Sequence, residues 1–235
     1  MKKTAITAFV FLLVGLGIGY LLFHSVGKSS SETGDYPALS ATPTPEDENG
    51  DVTVPPYVSE GTVSTDERRD TEVVNLAFSA LEFIKMGNYD LLAKMVSPED
   101  GVYFAPYSYL DLSANMHFTS EQVAVFASDK SSYLWGYTDG EGAPIELSPT
   151  QYFEKYVFDQ DYTAAPIIGR NYIVKSGNSI ENVQEVFPDC QFVDFHFPGF
   201  DPQVGGMDWC TLRLVFREYE DDYKLVAIIH AQWTI

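Results

Sequence analysis

The sequence predicts an α+β domain over residues 67–235, with helices packed on one face of a curved, mostly antiparallel sheet. Three observations carry this. The stretch "ERRDTEVVNLAFSALEFIKMGNYDLLAKMV" repeats apolar residues at helical spacing. From Cys190 onward the chain reads as long strands, "CQFVDFHF", "WCTLRLVFREYE" and "DYKLVAIIHAQW". After Glu67 lie 28 of the 34 aromatic residues, enough to fill one core.

Val74, Phe78 and Leu81, with Ala77 and Ile84 beside them, predict a first helix that stops at Gly87. A short helix over Tyr89 to Val96 follows and is closed by Ser97-Pro98. "GVYFAPYSYLD" reads as a short extended piece interrupted by Pro106. Thr119 and Gln122 have capping-box spacing at the head of "FTSEQVAVFA", and Ser148-Pro149-Thr150-Gln151 repeats the signal before "YFEKYVF". Between them "SYLWGYTDGEGAPIEL" predicts two strands around a turn at Asp139 to Gly142, and "NSIENVQEVF" a further short helix. No internal repeat is visible.

Side-chain alternation restricts how the last strands pair. Setting Leu214 opposite Ile229 brings the apolar sets together and places Arg213 opposite His230. Setting Val193, Phe195 and Phe197 against Leu214, Leu212 and Cys210 places Asp194 opposite Arg213. One face is then apolar, and the other presents Asp194, Arg213 and His230, with His196, Thr211 and Gln232 nearby. In this register Cys190 and Cys210 lie about seven residues apart at about 3.4 Å each, too far for a bridge that needs Cα atoms within about 7 Å. Two free thiols are expected. Between the first two of these strands, "PGFDPQVGGMD" has turn chemistry at Pro198, Pro202, Gly205 and Gly206. It exceeds the about 2–5 residues a hairpin requires, which leaves open a contact by Phe200 or Asp201 beyond the bend.

Residues 1–27 read as a membrane anchor. After Lys2 and Lys3 the run from Ala5 to Phe23 carries no charge, nearly enough at about 1.5 Å per residue to span a core of about 30 Å. The run exceeds the apolar stretch of a cleaved signal peptide, so an uncleaved anchor is expected, with the lysines cytoplasmic and the rest outside. Residues 28–66 hold five of the 13 prolines among Ser, Thr and acids, and predict a disordered tether. Beyond Lys28 the formal charge is 11 − 34 = −23, which argues against nucleic acid and against lying on an anionic bilayer surface.

The runs "VSPEDGVYFAPYSYLD", "YLWGYTDGEGAPIEL", "FHFPGFDPQVGGMDW" and "LRLVFREYEDDYKLVAIIHAQWTI" resemble an uncharacterised group of exported, membrane-anchored proteins of Gram-positive bacteria. The helix pair followed by a curved sheet with a long final hairpin is similar to the NTF2-like, cone-shaped fold. That resemblance implies either a small lyase, isomerase or hydrolase or a non-catalytic envelope module, and it supplies no catalytic residues.

Asp194, His196, Arg213 and His230 are the ligand-binding candidates on the polar row, and Asp194 with His196 or His230 would be the acid–base residues of an enzyme. The plainer reading is a cross-strand ion pair with a satisfied histidine, or a homodimer surface on that sheet face. Tyr107, in a cluster with Tyr103, Phe104 and Tyr109, and Trp209 are aromatic candidates for a sugar or peptide. No metal spacing, cofactor motif or nucleophile motif is present, and "DGEG" lacks the later carboxylates of a calcium loop. The expected partners are the membrane, through the first helix, and an envelope protein or cell-wall fragment. A membrane-tethered binding module is the preferred expectation.

Overall fold

α1, Glu67–Lys85, begins the part of the chain that the structure, a computed structural model, describes: residues 67–234. The expected anchor and tether fall outside the described residues. Among the described residues no helix is long and apolar enough to cross a membrane.

α1 buries Val73, Ala77, Ala80, Leu81 and Ile84, a stripe at helical spacing. The stripe is centred one position earlier than expected: Val74 and Phe78 are only partly buried, and Phe78 meets Phe195 edge-on at 5.2 Å. Gly87, at φ +63°, ends the helix by reversing the backbone, and its N–H donates to the Ile84 carbonyl. Asn88 then caps α2, Tyr89–Met95, by accepting from the Leu91 N–H.

The remaining elements follow in order: β1 Val102–Ala105, β2 Met116–Phe118, α3 Ser120–Ala124, β3 Tyr133–Tyr137, β4 Pro144–Leu147 and α4 Pro149–Tyr152. After α4 come a π-helical turn, Phe153–Val157, and a 3₁₀ turn, Tyr162–Ala164. Then come β5 Ile167–Arg170, α5 Val183–Val186, β6 Cys190–Phe197, β7 Cys210–Tyr219 and β8 Asp222–Gln232. Both expected capping boxes form, at Thr119 with Gln122 and at Ser148 with Gln151. Gly101 sits at φ +65° where a Cβ would lie 2.6 Å from the Phe118 carbonyl, so the turn before β1 requires glycine.

Six strands form one curved sheet in the order β2-β1-β8-β7-β6-β5, antiparallel except where β1 lies parallel to β8; β3 and β4 form a separate pair. The fold class is α+β. The short strands β2 and β5 have no counterpart in the sequence reading. At three and four residues, and with Pro166 before β5 and Gly169 inside it, they give too short an alternation to register.

Helices α1 and α2 and the π-helical turn cover one face of the sheet, over Val193, Phe195, Leu212, Leu214, Phe216, Leu225 and Ile228. At one end of this core Phe104 is a hub, with ring centroids 5.5–6.1 Å from Phe118, Phe126, Trp135, Tyr152 and Phe153. The second face is not solvated. Residues 171–189 double back across it as a strap, packing Val183 and Phe187 on Phe192, Val215, Ala227 and Ile229.

β6 and β7 pair as expected, with Asp194 opposite Arg213, Phe195 opposite Leu212 and Phe197 opposite Cys210. The β7–β8 register differs by one residue: Leu214 faces Ile228, Arg213 faces Ile229 and Leu212 faces His230. A bulge is the reason. Val215 pairs with Ala227 but Phe216 with Leu225, so Val226 is an extra residue that inverts the alternation along β8. His230 therefore shares a face with Leu212, on the helix side, opposite to Arg213 and Asp194. The continuous apolar run Leu225 to Ile229 belongs to a strand buried on both faces, where alternation does not report the register.

Candidate functional site

The expected row separates into two environments. On the strap side, Arg213 Nε and Nη2 donate to Asp194 Oδ1 and Oδ2 at 2.6 and 3.0 Å, and Nη1 donates to Glu181 Oε2 of the strap at 2.7 Å. The Val174 N–H, also of the strap, donates to Asp194 Oδ2 at 3.2 Å, and the guanidinium lies over the Phe192 ring at 5.1 Å. Burial raises the Asp194 carboxyl above its ordinary value, and Arg213 and the Val174 amide offset part of that rise. The two-pronged contact holds it as a carboxylate.

His196, also on this face, shares a hydrogen bond of 2.8 Å between Nδ1 and Thr211 Oγ1 and lies beside Trp209. Burial lowers its proton affinity, and nearby Lys175 lowers it further. Asp194, His196 and Arg213 are all buried under the strap, so the partly solvated face expected for them is absent. The candidate homodimer surface on that face is likewise covered by the chain's own residues. Asn182 completes the fastening: its side chain accepts from the Leu110 N–H and donates to the Leu110 carbonyl, both at 2.9 Å.

On the helix side, His230 stands edge-on to Tyr156, with Nδ1 3.3 Å from the Pro106 carbonyl and Nε2 3.5 Å from Asp159 Oδ2. Tyr162 donates to Asp159 Oδ1 at 2.8 Å. Burial works against the Asp159 carboxylate, but His230 and Tyr162 hold it below its ordinary range. The Cys210 thiol adjoins Tyr162 and is pushed up to about 11 by burial. Sequence reasoning missed Asp159, Tyr162 and Glu181. Asp159 and Tyr162 follow the π-helical turn, and Glu181 lies in the strap; no periodicity marks them, and only the tertiary fold brings them to His230 and Arg213.

Two accessible hollows adjoin these groups. A cavity of about 300 Å³ is lined by Pro106, Tyr107, Tyr109, Asn115, Leu134 and Tyr137. Tyr107 there accepts from the Asp139 N–H at 3.1 Å. The second, about 330 Å³, opens between the β6–β7 loop and the end of β8, lined by Asp159, Phe200, Met207, Asp208, Trp209 and Trp233. Its loop is self-fastened: Asp208 Oδ2 accepts the N–H groups of Phe200 and Asp201 at 2.9 and 2.6 Å. Phe200 thus contributes to a hollow beyond the bend, as Trp209 does, while Asp201 caps the 3₁₀ turn Pro202–Val204. Among the described residues no cluster of His, Cys, Asp and Glu has the arrangement of a metal site.

No protein-family model matches the chain, and no curated protein does. Among solved structures it is similar to a protein assigned as a calcium/calmodulin dependent protein kinase II association domain from Xanthomonas campestris. That match has 10% identity and a TM-score of 0.29, covering 73% of this chain and 90% of that one. It is also similar to a dehydratase assigned to the NTF2-like family from Streptomyces avermitilis. Here the identity is 14% and the TM-score 0.26, over 70% of this chain and 97% of that one. At such scores neither likeness lends weight to a function.

Proposed function

We propose that the chain is a membrane-tethered binding module of the bacterial cell envelope, with an NTF2-like domain outside the cytoplasm. The observation that carries the binding reading is the role of Asp194 and Arg213: they hold the chain's own strap on the sheet, and neither lines either of the two hollows described above. The accessible hollows are instead walled by aromatic side chains, which suits recognition of a ligand more than proton transfer to one. The tether and topology rest on the charge-free run Ala5 to Phe23 behind Lys2 and Lys3.

The test is a thermal-shift screen of the full chain in detergent against cell-wall fragments, paired with protease accessibility on intact cells. A fragment that raises the melting temperature, and cleavage from outside, support the reading. Protection from external protease in cells whose envelope is shown to be permeable to it overturns the topology.

One observation favours a second reading, a small acid–base enzyme. Asp159 lines the second hollow with His230 Nε2 3.5 Å behind it, and this pair replaces Asp194 with His196 as the acid–base candidate. Turnover of any screened compound that is lost in His230→Gln would establish it.

A further inference from the structure

We infer that the hollow between the β6–β7 loop and the end of β8 is a binding site for the ammonium head of a small organic cation. The inference rests on the binding-module reading and names the ligand class.

Three features converge on this chemistry. First, the walls are aromatic and soft: Phe200, Met207 and Trp233 are 51%, 51% and 39% exposed around it, although most large apolar side chains are buried. Aromatic faces attract cations through their negative ring charge, and the methyl or methylene groups around an ammonium suit the same walls. Second, two carboxylates, Asp159 and Asp208, line the hollow and no lysine or arginine does. Hydrogen bonds hold each below the ordinary carboxylate range, so both are charged at neutral pH. Their charge sits on a chain of formal charge −20, whose field concentrates cations. Third, Trp209, 2% exposed, lines the hollow and gives it a fixed aromatic wall beside the exposed ones.

Other ligand classes fit less well. An anion would meet two carboxylates, and a neutral apolar ligand would strip water from them without compensation. The volume, about 330 Å³, is at the small end of ligand cavities and admits a head group rather than a polymer.

Choline, ethanolamine and the uncharged choline isostere 3,3-dimethylbutan-1-ol are titrated by NMR against the full chain in neutral detergent, with the tryptophan indole N–H signals as readout. The expected result is saturable binding of at least one cation, with the isostere weaker by at least tenfold and the Trp209 indole signal shifting on saturation. Choline binding more tightly than ethanolamine points to a quaternary source; the reverse points to a primary amine. The surface variants Phe200→Ser and Trp233→Ser each weaken binding several-fold while leaving the amide spectrum of the core in place. Equal binding of the isostere, unchanged affinity in both variants, or no saturation by either cation overturns the inference and leaves the module reading, which rests on the strap. Conversion of a bound cation to product would instead overturn the non-catalytic reading while supporting the cation site.

Discussion

Arg213 grips Asp194 through two hydrogen bonds of 2.6 and 3.0 Å, with both side chains fully buried between the sheet and the strap. A buried ion pair contributes little against an apolar substitute of the same shape, but breaking it strands a charge and costs about 3–5 kcal/mol. Asp194→Asn or Arg213→Met alone is therefore expected to lower unfolding free energy by about that much. Replacing Asp194, Arg213 and Glu181 together by Leu, Met and Gln recovers most of the loss. Equilibrium denaturation of the variants measures both; additive losses in the triple variant would speak against a coupled network.

His196 gives the strap face a pH signature. Burial holds it below its ordinary proton affinity, with Lys175 adding to the effect, so the unfolded chain binds the proton more readily, near pH 6.5. The linked stability is present above that value and is lost as pH falls through it toward the depressed folded pKa. Denaturation at pH 7.5 and 5.5 should show a lower midpoint at 5.5. His196→Gln should remove that part of the difference, and an identical pH dependence in the variant would exclude His196 as its source.

Phe104 touches five other aromatic rings and is fully buried. Phe104→Ala is expected to cost about 3–5 kcal/mol, because the surrounding rings cannot all collapse into the space. Tyr109→Ala, at a side chain 52% exposed, is expected to stay within about 0.5 kcal/mol. Urea unfolding of the two variants separates them.

Cys190 faces Arg217 and Cys210 faces Phe197, at opposite ends of the β6–β7 pair, and both thiols are free in the structure. With its pKa pushed up to about 11, Cys210 holds very little thiolate at pH 8. Iodoacetamide at pH 8 should leave Cys210 unlabelled in the native chain and label both cysteines in urea without reductant. Labelling in urea that appears only after reduction would reveal a disulfide.

Much of the fold was legible because its signals are local. The capping boxes, the stop at Gly87 and the β6–β7 register all follow from residue types at fixed spacing. The β7–β8 register was not, because Val226 inverts the alternation and both faces of β8 are apolar. That single extra residue moved His230 away from Asp194, so the expected trio does not exist as a site. The strap shows in the sequence only as a short helix, "NSIENVQEVF". Its role depends on Glu181 and Val174 meeting Arg213 and Asp194 from far along the chain, which no local pattern records. The loop around Phe200 was legible as longer than a hairpin needs, and that excess length forms one wall of the second hollow.

Hydrogen exchange at the Val174 amide tests most directly whether the polar row is a fastener. In the wild-type chain this N–H, bonded to Asp194 Oδ2 at 3.2 Å, should exchange slowly. In Asp194→Asn it should exchange many times faster while the β6–β7 amides stay protected. Fast exchange at Val174 in the wild type, or protection unchanged in the variant, would contradict the account.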